Sequence, residues 1–272
     1  MRIAVLADIH GNLAALEAAL EEIGRLDPDR IAVLGDVIDG APDSIACWRR
    51  VRELEVPILR GNHERYVYDY GTERASPEWS MAHFAPVRWA VEQCDSRVRD
   101  EMRALPTSHR FAEAPELLLV HASLRSDQDS IFAHTPDPLI EPMFPGIREP
   151  WIIRGHNHLP GLRTWGERTI LNLGAVGLPL DGHLAAQFAV MEKTARGWTA
   201  RQIAVPYDVD ATLRRFRESG YLEAGGPMAR LFLREVATAT HHFVPFLRHY
   251  GHAIREGRID AGTAIDRFLR EY

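Results

Sequence analysis

The first part of the chain alternates between the apolar patterns of short strands and those of amphipathic helices. Three apolar runs fit buried strands: residues 2–7, 31–34 and 56–59. Between the first two runs, apolar residues at helical spacing begin after Asn12, a suitable N-cap, and stop before Pro28. A second helical pattern follows Pro42. Strands that alternate with helices in this way predict an α/β fold with a parallel sheet.

The middle of the chain changes from helical patterns to strand patterns. Residues 78–105 are predicted to be helical, whereas residues 117–120 and 152–153 are short apolar runs typical of strands. A polar loop follows the first of these runs. From residue 162 to residue 205, short strand patterns are joined by turns, which predicts a mostly antiparallel sheet. Together these patterns predict two packed sheets with helices on the outside.

The end of the chain has helical patterns only. Asp208 and Asp260 are suitable caps for the first and last of these helices, and another helix can start at Pro227. Pro245 is expected to break or kink a helix, because proline lacks an amide hydrogen and clashes with the preceding turn. We therefore predict two domains, with a helical C-terminal extension as the second: residues 1–205 and residues 206–272.

Composition argues against several classes of protein. The 272 residues carry a net charge of −6, which does not favour capture of a long nucleic-acid duplex or of an anionic membrane. No run approaches the ~20 apolar residues of a membrane span, and the N-terminus lacks a signal-peptide pattern. Cys47 and Cys94 form neither a CxxC motif nor a disulfide framework. We expect a cytoplasmic protein without a membrane partner.

Residue types that bind metal ions follow five of the predicted strands. In chain order these groups are Asp8-Ile9-His10, Gly35-Asp36, Gly61-Asn62-His63-Glu64, His121 and Gly155-His156-Asn157-His158. Because ligands bind at the carboxyl ends of strands in open α/β sheets, we expect these side chains to meet at one site. Carboxylate, imidazole and amide ligands without thiolate suit manganese, iron, zinc or a similar divalent ion.

A pair of such ions would suit the hydrolysis of a phosphoester. Two metal ions ~4 Å apart can hold the attacking and leaving oxygens of an in-line displacement and lower the pKa of a bridging water. Taken singly, a strand-end residue such as Asp8 or His121 is more often an ordinary polar residue. Five groups in succession, each at a predicted strand end, favour a metal site instead.

These five blocks resemble the signature of the calcineurin-like metallophosphoesterase superfamily. The segment Asn172-Leu173-Gly174-Ala175-Val176-Gly177 is also similar to one in its small bacterial phosphodiesterase branch. The resemblance extends from Met1 to about Gly220. It implies a four-layer α/β/β/α sandwich of two mixed sheets, with residues 1–205 as the catalytic domain. Protein phosphatases of the superfamily have an arginine where this chain has Gly40, which argues against protein-phosphatase activity.

The resemblance also implies a role for each residue of the site. One metal ion would have three ligands of its own: Asp8, His10 and His158. The other would likewise have three: Asn62, His121 and His156. Asp36 would bridge both ions. His63 would be the non-ligand histidine that stabilises or protonates the leaving oxygen.

Three further residues are candidates for the reaction. Asp39 comes after Asp36 in the second block, where the matching acid of the protein-phosphatase branch pairs with the histidine of the third block, here His63. A carboxylate there would raise the pKa of the imidazole and orient its ring. The alternative is a simple polar turn before the next helix. Arg60 and Arg125 lie beside metal-binding blocks and could grip phosphate, or could be solvated or ion-paired.

The sequence therefore predicts a two-metal phosphoesterase, with a phosphodiester as the favoured substrate and in-line attack by a hydroxide that bridges the metal ions. A phosphomonoesterase, a dinucleoside polyphosphate hydrolase and a protein-binding scaffold of the same fold are alternatives, although His63 argues against the scaffold.

The expected partner is a small phosphoester. The helical extension could shape substrate access or a homo-oligomer contact. Its histidines are expected on ordinary polar helix faces: His241, His242, His249 and His252.

Overall fold

The computed structural model describes residues 1–272, which form strands and helices throughout the chain. The strands are β1 (Arg2–Leu6), β2 (Arg30–Val33), β3 (Ser108–His109), β4 (Leu117–Val120), β5 (Trp151–Arg154), β6 (Pro160–Trp165), β7 (Arg168–Leu173), β8 (Ala186–Thr194) and β9 (Gly197–Val205). The helices are α1 (Leu13–Leu26), α2 (Ser44–Arg52), α3 (Asn62–Asp69), α4 (Ala85–Gln93), α5 (Ser96–Arg103), α6 (Asp137–Ile140), α7 (Val209–Glu218), α8 (Tyr221–Ala224), α9 (Gly226–Thr238), α10 (Phe243–Arg255) and α11 (Ala261–Glu271). None of these helices has both the length and the apolar composition that crossing a bilayer requires.

The strands form two mixed sheets. The first has the order β2-β1-β8-β9, in which β1 is parallel to β2 and antiparallel to β8. The second has the order β3-β4-β5-β7-β6, in which β4, β5 and β7 are parallel. The prediction of one antiparallel sheet over residues 162–205 is wrong, because the hairpin β6–β7 lies in the second sheet and the hairpin β8–β9 in the first. A hairpin pattern determines only the pairing of its own two strands.

The two sheets pack face to face, and helices cover their outer faces. Successive side chains of β1 point to opposite faces, so that Ile3 and Val5 pack toward the second sheet while Ala4 and Leu6 pack toward α1. Burial of both faces explains why this strand is continuously apolar. On the outer face of the second sheet, Ile152 packs beneath α6 and its neighbouring loops. The predicted four-layer α/β/β/α arrangement is confirmed, and its last layer contains only short helices.

The third predicted strand, residues 56–59, is reduced to a single bridge. Ile58 pairs in parallel with Val33. The Val33 N–H donates to the Pro57 carbonyl, and the Leu59 N–H donates to the Val33 carbonyl. Pro57 has no N–H to donate, so the ladder does not extend further. The segment still runs beside β2, and its carboxyl end still leads to the third group of predicted ligands.

Every element after β9 is a helix, as the sequence predicts for the extension. One apolar core joins α7, α8 and α9 to the sheet region and includes Tyr221, Ala41 and Leu178. A second core lies among α9, α10 and α11, around Phe246 and Phe268. The extension therefore packs on the rest of the chain. Its treatment as a separate domain stays a prediction.

The helix break expected at Pro245 lies a few residues earlier. α9 ends at Thr238, the next residue has a left-handed φ of 51°, and α10 begins at Phe243. Pro245 thus lies in the first turn of α10. Backbone N–H groups in a first turn have no partner within the helix, so the missing N–H of Pro245 costs no helical hydrogen bond.

A buried carboxylate, Glu235, links α9 to the start of α10. Its Oε1 accepts hydrogen bonds of 2.8 Å from the N–H groups of His242 and Phe243. Burial raises the pKa of Glu235 to about 7, although these two hydrogen bonds oppose the shift. A carboxyl group with a raised pKa stabilises the fold at low pH. That contribution is lost as the pH rises from about 4.5 to about 7.

We expect Glu235→Gln to remove this pH dependence, because a neutral amide oxygen still accepts from both N–H groups. The free energy of unfolding of the variant, relative to wild type, should rise by on the order of 3 kcal/mol between pH 4.5 and pH 7. Urea unfolding at the two pH values measures the difference. Glu256→Gln, an exposed position in the same extension, is the control. Identical pH slopes for Glu235→Gln and wild type would contradict the prediction.

Candidate metal centre and active site

The five groups of predicted ligands meet at one edge of the two sheets. β1, β2, β4 and β5 end there, and the residues that follow them carry most of the side chains: Asp8, His10, Asp36, His121, His156 and His158. Asn62, the first residue of α3, faces the same point. All of these residues are buried or nearly so. Buried polar groups cost free energy unless they are paired or bind an ion.

The backbone at these positions adopts an uncommon conformation. Six aspartates and histidines at the site have left-handed φ values: Asp8 (57°), His10 (50°), Asp36 (51°), Asp39 (64°), His156 (68°) and His158 (57°). Such values cost free energy in residues other than glycine, and they cluster at functional sites. Close packing adds a further constraint at Gly61, where a Cβ would lie 2.1 Å from Asp36 Oδ1.

Two histidines of the first cluster face each other through unprotonated nitrogens. His10 Nδ1 is 3.1 Å from the Asp39 carbonyl, and His158 Nδ1 is 2.7 Å from the Leu178 carbonyl. Nδ1–H of each ring donates a hydrogen bond to its carbonyl, so Nε2 of each neutral ring holds a lone pair. These two Nε2 atoms are nevertheless only 3.1 Å apart. Two lone pairs at that distance repel unless a cation lies between them.

Two carboxylates complete the first cluster. Asp36 Oδ2 is 3.7 Å from His10 Nε2, and Asp8 Oδ1 is 3.6 Å from His158 Nε2. Asp8 Oδ1 is buried and has no hydrogen-bond partner. An unpartnered buried carboxylate oxygen is costly, and a divalent cation would satisfy it. The oxygen and nitrogen atoms of this cluster therefore fit a metal ion.

The second cluster repeats this arrangement. His121 Nδ1 is 2.9 Å from the Leu34 carbonyl, and His156 Nε2 is 3.1 Å from the Gln128 carbonyl. The remaining nitrogens, His121 Nε2 and His156 Nδ1, lie 3.1 Å and 3.0 Å from Asn62 Oδ1. When both rings are neutral, three acceptors thus converge on one point. Hydrogen bonding alone favours the amide turned over, with the Asn62 nitrogen donating to both rings, whereas a bound cation would favour the oxygen in this place.

Asp36 belongs to both clusters. Its Oδ2 is 3.7 Å from His10 Nε2 and 3.3 Å from His121 Nε2. Metal-ligating histidines usually donate their second ring N–H to a carboxylate, a backbone carbonyl or water, and the four histidines of these clusters all face a backbone carbonyl. The residues therefore fit two neighbouring divalent cations.

Burial keeps three of the four cluster histidines neutral. It lowers the pKa of His10 and of His156 well below the usual value, and it lowers the pKa of His158 to about 3. Burial also lowers the pKa of His121, but the charge and hydrogen bond of Asp36, together with the charges of Asp8 and Glu64, raise it to about 9. A cation would displace any proton from the ligating nitrogen, so binding is expected to release protons.

His63 lies beside the clusters and contacts Asp39. Its Nδ1 is 2.7 Å from Asp39 Oδ2, and its Nε2 is 3.9 Å from Asp36 Oδ2. The side chain of His63 is 18% exposed and that of Asp39 is 1% exposed, so the ring has an access to solvent that its partner lacks. Burial lowers the pKa of His63, but Asp36 and Asp39 raise it by more, to about 9. The predicted contact is present, and the imidazolium form is favoured at neutral pH.

Glu64 organises the site, although sequence reasoning gave it no role. Its carboxylate accepts hydrogen bonds from the N–H groups of Asp36 at 2.9 Å, Val37 at 2.8 Å and Gly61 at 2.8 Å. It thereby holds the loop after β2 against the start of α3. The spacing from Gly61, the N-cap, to Glu64 is that of a capping box, which is the signal in the sequence that could have found it.

A second residue without an assigned role is Arg154, a fully buried cation beneath the site. Its guanidinium donates to the Ala122 carbonyl at 2.7 Å, to Asn157 Oδ1 at 2.6 Å and to Asn172 Oδ1 at 2.8 Å. It also donates to the Asp129 carbonyl. One side chain thus joins the loops that follow β4 and β5 to the end of β7. An arginine at the end of an apolar strand gives no sequence signal of such a role.

The two arginines predicted to bind phosphate have other partners. The Arg60 guanidinium lies 5.9 Å from the centre of the Tyr68 ring. Arg125 pairs with the Asp129 carboxylate at 2.6 Å, which is the ion-paired alternative. Neither makes a hydrogen bond to a cluster residue, and their binding of phosphate stays a prediction. The histidines of the C-terminal extension belong to neither cluster. His249 and His252 lie on an exposed face of α10, as expected, but the expectation is wrong for His241 and His242, which lie between α9 and α10, where His242 is buried.

Comparison with known proteins identifies the relatives of this chain. Residues 1–196 match the family model of the calcineurin-like phosphoesterase superfamily domain. The structure is similar to a metallophosphoesterase from Sphaerobacter thermophilus, with a TM-score of 0.70 and 25% identity over 88% of this chain and 100% of that one. Protein MJ0912 of Methanocaldococcus jannaschii is 24% identical over 85% of this chain and 97% of its own length. Serine/threonine-protein phosphatase 1 of Salmonella typhimurium is 39% identical over 79 residues, and the match covers 28% of this chain and 36% of that protein.

The chain belongs to the calcineurin-like phosphoesterase superfamily. The matched residues 1–196 contain both clusters together with His63 and Asp39. The predicted family is therefore confirmed. The family is one of phosphoesterases, and the two clusters are groups of side chains that could hold metal ions.

Proposed function

We propose that this protein is a phosphodiesterase that uses two divalent cations. The observation that carries the proposal is the place of Asp36, whose Oδ2 lies 3.7 Å from His10 Nε2 and 3.3 Å from His121 Nε2. One carboxylate is therefore within reach of two separate ligand sets. His63, whose side chain is 18% exposed, lies beside that shared carboxylate.

The ligands divide between the two cations as follows. Asp36 would bridge them. One cation would have three further ligands: Asp8, His10 and His158. The other would be held by the second cluster: Asn62, His121 and His156. Nitrogen and oxygen donors without thiolate suit manganese, iron or zinc.

When bound, two such cations neutralise charge on the phosphoryl group and lower the pKa of water at the site. The chain itself supplies the proton for the leaving oxygen. His63 Nε2 points toward the shared carboxylate, and its Nδ1 is fixed by Asp39. The imidazolium can give its Nε2 proton to the departing alkoxide. Asp39 keeps the ring aimed and stabilises its charged form.

Two features of the sequence favour a small phosphodiester over a phosphoprotein. Gly40 occupies the position at which protein phosphatases of the superfamily have an arginine. The match to the Salmonella phosphatase covers only 36% of that protein, so its activity does not transfer to this chain. The segment from Asn172 to Gly177 is similar to one in a phosphodiesterase branch and supports a diester substrate.

The test is a substrate panel with the full chain and manganese, iron or zinc. We expect the diester bis-p-nitrophenyl phosphate to be hydrolysed at least about tenfold faster than the monoester p-nitrophenyl phosphate. A chelator should abolish turnover and added metal should restore it. Faster hydrolysis of the monoester, or of diadenosine tetraphosphate, would overturn the diester assignment. Metal-loaded protein without turnover of any phosphoester would overturn the enzyme assignment in favour of a scaffold.

A further inference from the structure

Residues 39–43, which we call the 39–43 loop, connect the end of the second block to α2. Asp39 has two contacts in the site: its carboxylate lies 2.7 Å from His63 Nδ1, and its carbonyl lies 3.1 Å from His10 Nδ1. Asp39 and Gly40 both have left-handed φ values, of 64° and 97°. The position of this loop therefore sets the orientation of two imidazole rings.

Tyr221, in α8 of the C-terminal extension, reaches the 39–43 loop from outside the sheet region. Its hydroxyl donates to the Gly40 carbonyl at 3.1 Å. The side chain is completely buried, and its ring contacts those of Trp89 and Phe216 at centroid distances of 5.7 Å and 5.3 Å. Burial and the charge of Asp39 raise the pKa of Tyr221 well above its usual value, so the hydroxyl keeps the proton that it donates.

The other residues of the 39–43 loop also make contacts that fix their position. Ala41 is buried in the core that joins the extension to the sheet region. The Pro42 carbonyl accepts a hydrogen bond from Trp89 Nε1 at 3.2 Å. Asp43 pairs with Arg215 of α7, whose Nη2 and Nε lie 2.6 Å and 3.1 Å from Asp43 Oδ1. The extension thus contacts Gly40, Ala41 and Asp43, immediately after the residue that contacts His63.

We propose that Tyr221 is a positioning residue for the reaction: through the Gly40 carbonyl it fixes the 39–43 loop, and thereby the Asp39 carboxylate against His63. The inference rests on the proposed function, because it concerns the protonation of the leaving oxygen by His63. It gives the C-terminal extension a part in the chemistry of a site to which it contributes no predicted ligand. A purely structural role for Tyr221 would instead affect stability and leave the dependence of rate on leaving group unchanged.

The test compares Tyr221→Phe with Tyr207→Phe in the full, manganese-loaded chain. Tyr207 is a matched control, because its hydroxyl also makes one hydrogen bond between the extension and the sheet region. It accepts from Asn12 Nδ2 at 3.2 Å and has no hydrogen bond to the 39–43 loop. The measurements are metal content, KM and kcat for a series of phosphodiesters whose leaving groups rise in pKa.

For Tyr221→Phe we expect kcat to fall about fivefold on the poorest leaving group, the equivalent of one neutral hydrogen bond. The p-nitrophenyl ester, which needs no proton, should be hydrolysed at nearly the wild-type rate. Metal content and KM should not change. Tyr207→Phe should keep the wild-type dependence on leaving group. A second readout needs no turnover: the Nδ1–H proton resonance of His63 in the metal-free protein should shift in Tyr221→Phe and not in Tyr207→Phe.

A leaving-group dependence equal to that of wild type, with an unshifted His63 resonance, would overturn the inference. If Tyr221→Phe does not fold, Arg215→Gln takes its place, since it releases the other end of the same loop at an exposed ion pair. The same change in leaving-group dependence in Arg215→Gln supports the inference. An unchanged leaving-group dependence overturns it. A wild-type protein without phosphodiesterase turnover would overturn the proposed function. If the wild type is active and these variants have the same leaving-group dependence, only the role of Tyr221 is overturned.

Discussion

Replacing Asp36 by asparagine is expected to remove most of the metal from the purified protein and to lower kcat/KM by more than ~100-fold. Asp36 is the residue that the two clusters share, and an amide cannot supply its charge to either cation. Loss of a residue that only hydrogen-bonds to a metal ligand already costs about 10–100-fold in metal affinity or activity. Loss of a shared ligand should cost more. Elemental analysis and turnover measured on the same sample test this.

Two further variants make the result specific to a shared ligand. Asp8→Asn removes an oxygen from the first cluster only, so this variant should retain about one ion per chain when Asp36→Asn retains little. Asp266→Asn, at an exposed ion pair of α11, should keep the full metal content. An Asp36→Asn protein with full metal content and full activity would refute the assignment of both clusters.

Asp39→Asn should lower turnover of unactivated esters by about 100-fold, the lower end of the contribution of a general acid, while sparing metal content. The variant removes the carboxylate that lies 2.7 Å from His63 Nδ1 and leaves both ligand clusters in place. Activated aryl esters, whose leaving groups need no proton, should lose much less. Rates on a matched pair of esters, together with elemental analysis, measure the effect. Equal losses on both esters would count against a role in protonation.

The same variant should also change the pH dependence of turnover. A reaction that needs the His63 imidazolium proceeds below the pKa of this group, which Asp39 raises, and slows as the pH rises through it. Because the Asp39 carboxylate raises that pKa, its loss should move the alkaline limb to lower pH. His63→Asn should remove the limb. An alkaline limb at the wild-type position in Asp39→Asn would contradict the proposed pair.

The candidate ligands could be predicted because their residue types and their positions at strand ends both indicate a metal site. Five groups of such residues follow apolar strands in succession, and parallel strands bring their ends to one edge of a sheet. The contact between Asp39 and His63 was predictable from the resemblance in the second and third blocks, and the structure places the two groups 2.7 Å apart. Whether these residues bind metal and transfer a proton stays a prediction.

The groups that orient those ligands could not be predicted from the sequence. The cluster histidines are fixed by backbone carbonyls of Leu34, Asp39, Gln128 and Leu178. Every residue has a carbonyl, so no residue type marks these positions. The same reason applies to Tyr221, whose ordinary place in a helical region gives no sign of a contact with a loop 181 residues earlier in the chain. Long-range packing decides such contacts, and local patterns do not report it.

The separation in sequence between the two halves of the first cluster has a consequence for how the protein matures. His10 and His158, whose Nε2 atoms are 3.1 Å apart, are separated by 148 residues, as are Asp8 and His156, which share a hydrogen bond. Contacts of such long range form late in folding, because loop closure must precede them. During synthesis, the set of candidate ligands is incomplete until His158, which follows β5, has emerged. If cations bind only the completed fold, they stabilise it by mass action, and we expect a chelator to shorten the lifetime of the folded chain.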